Sequence, residues 1–256
     1  MTDAEAYERG FARLSSHTVD ALLATARGNR ARRVLDAGCG TGVVTAAALA
    51  MGAEVTAVDS DPAMLELASR RHPRATVRRA TLPHLPFADA EFDAIAGNFV
   101  INHLADTAAA LSEFHRVLRP GGTLALSWWK SDEMAATNVF VEAITEAGVR
   151  NVPPVRPFTA HDTPPLFAAL LADAGFSGVT VDTLRWRHEV DPSAWWSDVI
   201  EAGGPRFAII AEQPPETSAR IRSHYLRLAG RYGGAFPVCA HLAHAERSAG
   251  PDPDQR

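Results

Sequence analysis

The sequence predicts an α/β fold in which helices cover both faces of a mostly parallel sheet. Three observations lead to this prediction. Strand-like and helical segments alternate from about residue 32 to residue 129. A glycine-rich turn joins the first of these strands to the first helix of the frame. The next strand ends at Asp59, so that strand, turn, helix and strand fall within about 30 residues.

Hydrophobic periodicity places the other elements along the chain. One or two helices over residues 3–28 precede the first strand. The alternating frame is predicted as strand 32–37, helix 43–51, strand 54–59, helix 62–72, strand 75–80, strand 92–98, helix 104–118 and strand 122–129. Beyond it we predict helix 138–148, a helix from 164 to about 174, strand 178–190, a helical region at 192–232 and a last strand at 235–247.

The glycine-rich turn indicates a nucleotide cofactor. Gly38, Gly40 and Gly42 occupy alternate positions, and Asp36 lies two residues before the first of them. Glycines leave no side chain between a ligand and the main chain. The dinucleotide fingerprint has the spacing G-x-G-x-x-G, which this chain lacks, and a pyrophosphate is disfavoured beside a carboxylate. A cofactor with a charged amino group and no phosphate, such as S-adenosylmethionine, fits better.

With these motifs the sequence resembles the class I S-adenosylmethionine-dependent methyltransferases. It is most similar to their small-molecule branch, which includes the ubiquinone and menaquinone biosynthesis methyltransferases. The resemblance extends over about residues 30–130. Six ordered segments carry it, at residues 34–42, 59, 82–87, 92–95, 98–104 and 116–122. It implies a Rossmann-like three-layer sandwich whose seven-stranded sheet is mostly parallel, with an antiparallel last strand beside the fifth, and with helical lid elements.

This resemblance also suggests a division of the chain. We expect residues 1–256 to form a single methyltransferase domain. Residues 1–28 would form an N-terminal helical cap and residues 30–130 the cofactor-binding core. Residues 150–165 and 191–232 would be lid or substrate elements. Prolines in residues 152–158 predict an extended loop near the substrate mouth.

Cofactor-binding roles follow from the resemblance, residue by residue. Asp36 would lie near the methionine ammonium group, although an aspartate at this point could also only stabilise the turn. The glycines would lie against the amino-acid and ribose portions. Asp59 would accept hydrogen bonds from the ribose hydroxyls, with Ser60 beside it; a helix-capping role for Asp59 is less well placed than one for Ser60 or Asp61.

The adenine site departs from the family pattern. Many relatives have an acid six residues before the phenylalanine of the Leu-Pro-Phe turn, and here that position is Thr81. A hydroxyl can accept the same hydrogen bond without supplying a charge. The backbone N–H of Leu82 would serve adenine N1. Asn98, at the end of the fourth strand, completes the cofactor-binding set.

Candidate catalytic residues cluster at the end of the fourth strand. Asn102 and His103 follow Asn98 and should reach the carboxyl edge of the sheet, where ligands of such folds bind. A hydroxyl acceptor needs a base near neutral pH, and histidine is the first candidate. Two alternatives remain open: Asn102 could cap the following helix, and His103 could be a packed core histidine. His17 and Tyr7 are further catalytic candidates.

Composition excludes several other classes. A net charge of -5 and a pI near 6.0 argue against a nucleic-acid partner. The N-terminus lacks a leader pattern and no stretch is long and apolar enough to span a membrane, so we expect a cytoplasmic protein. Cys39 and Cys239 form neither a disulfide framework nor a zinc pattern, and no metal is expected. Lys130 is the only lysine among 25 basic residues, a bias typical of high-GC bacterial genomes.

The predicted substrate is a small, aromatic or hydrophobic molecule, in secondary metabolism. Seven aromatic residues follow the cofactor half and would surround the mouth, with about half of them in the core: Trp128, Trp129, Phe140, Phe158, Trp195, Trp196 and Phe207. Two alternatives use the same fold: non-methylating chemistry such as cyclisation or elimination, and a non-catalytic cofactor-binding partner. The sequence leaves the oligomeric state open, with a homodimer as one possibility.

Overall fold

A computed structural model describes residues 3–150, 157–204 and 206–248. Seven strands are present in this part of the chain. They are β1 (Arg33–Ala37), β2 (Glu54–Asp59), β3 (Thr76–Arg79), β4 (Phe92–Asn98), β5 (Leu118–Trp129), β6 (Phe176–Glu189) and β7 (Ala235–Arg247).

Twelve α-helical segments lie between the described strands and before them. They are α1 (Ala4–Tyr7), α2 (Arg13–Ser15), α3 (Val19–Leu22), α4 (Ala24–Gly28), α5 (Val43–Ala50), α6 (Pro62–Arg71), α7 (Thr107–Val117), α8 (Ala135–Glu146), α9 (Pro164–Asp173), α10 (Pro192–Ala202), α11 (Ala208–Ala211) and α12 (Pro215–Ala229). A π-helical segment spans Glu8–Ala12. Short 3₁₀ helices span Ser16–Thr18, Val100–His103, Ser131–Glu133, Pro157–His161 and Gly230–Tyr232.

The strands form one seven-stranded sheet in the order β3-β2-β1-β4-β5-β7-β6. The pairs β1–β2, β1–β4, β2–β3 and β4–β5 are parallel. Asp36 of β1 is in register with Ala57 of β2 and Ala96 of β4. Because the strands are parallel, the ends of β1, β2 and β4 meet at one edge of the sheet, where ligands of open α/β sheets bind.

The strand β7 runs antiparallel to its neighbour β6. Thr183 of β6 contacts His241 of β7, with 2.9 Å between Oγ1 and Nδ1. Farther along, the backbone N–H of Val190 donates to the carbonyl of Gly234 at 2.8 Å. Residue numbers therefore rise along one strand and fall along the other, as in an antiparallel pair. The predicted mostly parallel sheet with an antiparallel last strand beside the fifth is confirmed.

Most of the predicted elements are found within a few residues of their expected bounds. The N-terminal helical stretch is interrupted by the π segment and by the Ser16–Thr18 turn. The helix expected at 104–118 begins at Thr107, because the side chain of Asp106 caps it by accepting a hydrogen bond from the N–H of Ala109. Asn102 therefore does not cap this helix. Residues 151–156 of the proline-rich loop lie outside the described residues.

The chain divides into two compact units. The first, which we call the helical unit, comprises residues 1–14, 129–155 and 185–240. The second, the core unit, comprises residues 15–128, 156–184 and 241–256. The core unit contains β1 to β4 and the turns that follow them. None of the described helices is both long and apolar enough to cross a membrane.

The aromatic residues predicted to surround the substrate mouth are mostly packed inside the two units. Six of the seven are buried, at 8% exposure or less, and only Trp129 is half-buried. In the helical unit Phe140 stacks on Trp196, with 5.4 Å between ring centroids. In the core unit Trp128 packs against Phe167 and donates from its indole nitrogen to the carbonyl of Asp162. The expectation that about half would be in the core was too low, because large apolar rings stabilise most when fully buried.

Candidate cofactor and acceptor site

The glycine-rich turn closes β1 against the end of β2. The N–H groups of Gly38 and Cys39 both donate to the carbonyl of Val58, at 2.8 and 2.9 Å. Gly38 has a φ of +71°, and a Cβ there would lie 2.4 Å from Cγ2 of Val100. Only glycine combines this left-handed backbone with so close an approach. The turn is therefore held in one shape by the start of the segment that follows β4.

Asp36 is a fully buried carboxyl group beneath this turn. The hydroxyl of Thr45, in α5, donates a 2.6 Å hydrogen bond to Oδ2 of Asp36. The other oxygen, Oδ1, is buried and has no hydrogen-bond partner within the described part of the chain. Burial raises the pKa of Asp36 to about 7, the Thr45 hydrogen bond opposes this, and the nearby Asp59 charge adds to it. The site thus presents a desolvated acceptor that lacks a donor.

Asp59 binds the two loops that flank it. Its Oδ2 accepts from the N–H of Gly40 at 2.9 Å, and its Oδ1 accepts from the N–H of Asp61 at 3.0 Å. An ionised carboxylate has about four acceptor positions, so about two remain. Asp61, not Asp59, caps α6 by accepting from the N–H of Ala63. The capping alternative for Asp59 is therefore wrong, and its remaining acceptor positions are available to a ligand.

Thr81 lies next to Asp59 at the same edge of the sheet. The N–H of Ala80 donates to the carbonyl of Asp59 at 3.1 Å, and Thr81 follows directly. Thr81 forms an isolated antiparallel bridge with His84 and is exposed. Leu82 is half-buried and precedes a cis proline, Pro83. Ser60 is exposed, and its carbonyl accepts from Nε of Arg79 at 3.3 Å.

Asn98 ends β4, and its amide is engaged by protein groups. Its Oδ1 accepts from the hydroxyl of Ser127 in β5 at 2.7 Å and lies 2.7 Å from the hydroxyl of Thr18. Its Nδ2 donates to the carbonyl of Ser15 at 3.1 Å. Two hydroxyl groups thus lie against its oxygen, and one of its two N–H groups is used. Asn98 contributes at most one free amide donor to a ligand.

The predicted catalytic residues lie on three different segments. Asn102 and His103 are on the 3₁₀ helix that follows β4; Asn102 is buried and His103 is exposed. The interpretation of His103 as a packed core histidine is therefore wrong. His17 is exposed on the Ser16–Thr18 turn of the core unit. Tyr7 belongs to α1 in the helical unit, where its ring centroid lies 5.9 Å from that of Phe11.

Sequence reasoning did not single out Thr18, Thr45 and Ser127. Thr45 and Ser127 are polar residues inside apolar segments, and such residues need a partner when they are buried. That signal shows that a partner exists but does not say which one. Among the described residues, no group of three or more His, Cys, Asp or Glu side chains is arranged to hold a metal ion.

Comparison with known proteins identifies similar chains. A family model described as a methyltransferase domain matches residues 35–126. The chain is 38% identical over 246 residues to an uncharacterized methyltransferase of Mycobacterium tuberculosis, covering 94% of this chain and 93% of that protein. It is 38% identical over 96 residues to the demethylmenaquinone methyltransferase of Chlorobaculum parvum, covering 37% and 40%. The YcgJ protein of Bacillus subtilis shares the fold, with a TM-score of 0.56, 19% identity, and 91% and 99% of the two chains covered.

Proposed function

The chain belongs to the class I S-adenosylmethionine-dependent methyltransferases, and from this premise we propose that it methylates a hydroxyl group of a small aromatic or hydrophobic molecule in secondary metabolism. One observation carries the choice of a hydroxyl acceptor. The exposed imidazoles of His17 and His103 lie on the two segments that meet at the carboxyl end of β4. A hydroxyl must lose its proton during methylation, and an imidazole is suited to take it near neutral pH.

The residues of the glycine-rich turn fit S-adenosylmethionine. The buried Oδ1 of Asp36 lacks a donor, and the ammonium group of the methionine portion, directly or through a water molecule, would supply one. A carboxylate in this position would repel a pyrophosphate, which favours this cofactor over a dinucleotide. The unused acceptor positions of Asp59 suit the two hydroxyls of a ribose.

The adenine portion would lie beside Thr81 and Leu82. Thr81 directly follows Ala80, whose N–H is bonded to the carbonyl of Asp59, and this proximity to the proposed ribose site supports an adenine site there. We assign the hydroxyl of Thr81 to the exocyclic amine and the N–H of Leu82 to N1. Ser60 and the remaining amide donor of Asn98 complete the proposed cofactor contacts. The absence of a charge at Thr81 makes this part of the site weaker than in relatives with an acid there.

When bound, S-adenosylmethionine supplies an electrophilic methyl group on a positively charged sulfur. The chain's own residues would bring the acceptor oxygen close and in line, which can provide most of the acceleration. We assign proton removal to the imidazole of His103, with His17 and Tyr7 as the next candidates. Asn102 would orient the acceptor. A flat hydrophobic acceptor is supported by the name of the partial relative from Chlorobaculum parvum, a demethylmenaquinone methyltransferase.

Two measurements in sequence test this proposal. Calorimetry is expected to show micromolar binding of S-adenosylmethionine and S-adenosylhomocysteine and no binding of NAD. S-adenosylmethionine with a labelled methyl group is then incubated with naphthoquinols, phenols, carboxylic acids and amines of similar size. Label in a hydroxyl of an aromatic acceptor supports the proposal. Label in an amine instead overturns the hydroxyl assignment.

The same experiment separates the two alternative functions. Consumption of the cofactor without label in any acceptor would indicate non-methylating chemistry on this fold. Cofactor binding without any turnover would indicate a binding partner of another enzyme. The predicted roles of residues 1–28, 30–130, 150–165 and 191–232 stay proposals, as does a homodimer, which light scattering during size-exclusion chromatography would detect.

A further inference from the structure

A polar network of two buried hydroxyl groups and the half-buried Asn98 joins three segments of the core unit at the carboxyl end of β4. Its members are Thr18 of the 3₁₀ turn, Asn98 at the end of β4 and Ser127 of β5. Thr18 and Ser127 are both 0% exposed. The hydroxyls of both lie 2.7 Å from the same oxygen, Oδ1 of Asn98. Polar groups withdrawn from water are costly unless they are satisfied, so this arrangement fixes the three segments together.

Asn98 holds the N-terminal turn through two contacts. Its Nδ2 donates to the carbonyl of Ser15, and its Oδ1 lies beside the hydroxyl of Thr18. The hydroxyl oxygen of Thr18 also lies 2.8 Å from the carbonyl oxygen of Ser15, so its single proton can serve either acceptor. His17 lies between these two anchored residues and is exposed. Its backbone is therefore tethered on both sides.

Ser127 holds the kink that follows β4. Its hydroxyl donates to Asn98 and accepts from the N–H of Phe99 at 3.0 Å. Phe99 has a φ of 60°, a left-handed conformation that is uncommon for a residue with a Cβ. Such a conformation persists only when its surroundings hold it in place. The kink redirects the chain into the segment that carries Asn102 and His103.

The network lies close to the proposed cofactor turn. Val100, one residue beyond the kink, contacts Gly38 so closely that a Cβ there would not fit. Helix α3, which begins directly after Thr18, contacts both β4 and α5, and α5 begins directly after Gly42. The turn that bears His17 is thus fixed beside the edge of the sheet at which the methyl group would be transferred.

We propose that Thr18, Asn98 and Ser127 are positioning residues for methyl transfer, and that they hold the turn bearing His17 as one wall of the acceptor site. This inference rests on the proposed function and deepens it. Thr18 would act on the acceptor side, whereas Asn98 also belongs to the proposed cofactor contacts. Loss of the Thr18 hydroxyl alone would therefore slow the transfer step while the affinity for S-adenosylhomocysteine stays nearly the same.

The test uses Thr18→Val, which removes the hydroxyl and keeps the shape of the side chain. Thr18→Ser keeps the hydroxyl and serves as the rescue variant. Thr25→Val is the matched control, because Thr25 of α4 also links the N-terminal helices to the sheet, with its hydroxyl 2.9 Å from Nδ1 of His244. It is the same substitution at a hydrogen bond outside the network.

Two readouts decide the outcome. Hydrogen–deuterium exchange of residues 15–23, with and without S-adenosylhomocysteine, is expected to be at least about tenfold faster in Thr18→Val than in the wild type, Thr18→Ser or Thr25→Val. With an acceptor that takes up labelled methyl, kcat of Thr18→Val is expected to fall at least about tenfold, with Kd for S-adenosylhomocysteine changed less than about threefold. Adding His17→Ala to Thr18→Val should then cause little further loss, because both changes remove the same wall.

Three results would overturn the inference: unchanged exchange in Thr18→Val, a Kd that rises in parallel with the loss of kcat, or additive losses in the double variant with His17→Ala. The exchange measurement needs no acceptor, so unchanged exchange in Thr18→Val refutes the inference even if no compound in the panel is methylated. A wild-type protein that binds no S-adenosylhomocysteine would refute the proposed function instead, and the exchange of the free protein would still report on the network.

Discussion

Thr45 donates a 2.6 Å hydrogen bond to Asp36, and both side chains are 0% exposed. Burial raises the pKa of Asp36 to about 7 in spite of this bond. The charged form is the one that an ammonium group would stabilise. Cofactor binding and ionisation of Asp36 are therefore coupled, and the coupling is measurable because the pKa falls within the working pH range.

The first prediction is a pH-dependent cofactor affinity. Below the pKa of about 7, Asp36 must lose a proton before it can pair with the ammonium group, so affinity should fall by about tenfold for each pH unit. The range from pH 5 to 7 is suitable because the α-amino group of the cofactor stays protonated there, with a pKa of about 7.7–8.0. Calorimetry in buffers with different ionisation enthalpies should detect the release of about one proton when the cofactor binds near pH 6.

The control for this prediction is Asp36→Asn, which should bind weakly at every pH and show no slope. Thr45→Val should move the midpoint to higher pH, because it removes a hydrogen bond that favours the ionised form. The stability of the folded protein should change with pH in the opposite direction from the cofactor affinity. An acid with a raised pKa stabilises the folded protein below its unfolded pKa of about 3.8, and this contribution is lost as the pH rises through about 7. An affinity for the cofactor that is flat from pH 5 to 7 would remove Asp36 from the ammonium site.

The second prediction concerns Asp59. Asp59→Ala should weaken cofactor binding by at least about tenfold, because hydrogen bonds to a charged acceptor contribute about 1.5–3 kcal/mol. The substitution also frees the N–H groups of Gly40 and Asp61. Asp61→Ala is the matched control, since it removes the cap of α6 and should cost about 1 kcal/mol of stability with little change in Kd. Equal dissociation constants for Asp59→Ala and the wild type would refute the ribose role.

The cofactor half of the site could be predicted from the sequence because its residues stand in short, ordered motifs. The spacing from Asp36 to Gly42 specifies a turn whose glycines have positive φ, and all three do. The end of β2 at Asp59 followed from the strand pattern, and the bounds of β2, β4 and β7 were predicted correctly. The start of α7 was predicted three residues too early, although Asp106 is a typical N-cap residue.

The acceptor half could not be predicted in the same way. The bonds of Asn98 to Thr18 and Ser127 join residues far apart in the chain, and a local pattern carries no information on such pairing. The same holds for the aromatic residues. Hydropathy alone does not distinguish a ring that lines a binding site from one such as Phe140 that is packed in a core. Placement of these groups depends on tertiary packing, which the structure supplies.

The third prediction concerns the position where an acid is missing. Thr81→Asp should keep or tighten cofactor binding, because a carboxylate is a stronger acceptor than a hydroxyl for an exocyclic amine. Thr81 is exposed, so the substitution should not affect folding. Thr81→Val, which removes the acceptor, is the opposing control and should weaken binding. Loss of binding in a folded Thr81→Asp protein would show that the adenine lies elsewhere.

The fourth prediction separates two features that favour glycine at position 38: the left-handed backbone and the lack of space for a Cβ. Gly38→Ala adds both a left-handed alanine and a Cβ 2.4 Å from Val100. Gly52→Ala adds only a left-handed alanine, because Gly52 has a φ of +84° and no atom lies within 4 Å of a Cβ built there. Both should lose about 1–2 kcal/mol of stability from the backbone, and Gly38→Ala should lose about 1–3 kcal/mol more together with most of its cofactor affinity. Chemical denaturation and calorimetry measure the two effects.

Val100→Ala in the Gly38→Ala background should restore part of the stability, since it removes Cγ2, the nearest atom at 2.4 Å, and leaves the Cβ of residue 100 at 2.7 Å. The same change in the Gly52→Ala background should restore nothing. Similar stabilities for Gly38→Ala and Gly52→Ala would mean that the turn can move away from Val100. The close fit between the glycine-rich turn and the segment after β4 would then be dispensable.

The last prediction concerns the base. If the acceptor is a hydroxyl, loss of a general base typically lowers the rate by about 10²–10⁴-fold, whereas loss of a positioning contact costs less. His103→Ala should therefore lower kcat at least about a hundredfold with Kd for S-adenosylhomocysteine nearly unchanged. Because His103 is exposed, the variant should fold. Asn102→Ala should raise KM for the acceptor more than it lowers kcat.

His224→Ala is the control, since His224 contacts Glu146 on the helical unit and has no assigned role in the site. It should leave kcat unchanged. A His103→Ala enzyme that retains most of its turnover would show that His103 is not the base, and His17→Ala and Tyr7→Phe would then be compared in the same assay. If all three retain it, proximity alone must drive the transfer. An amine acceptor would then be favoured, because it can enter the reaction already neutral and needs no base.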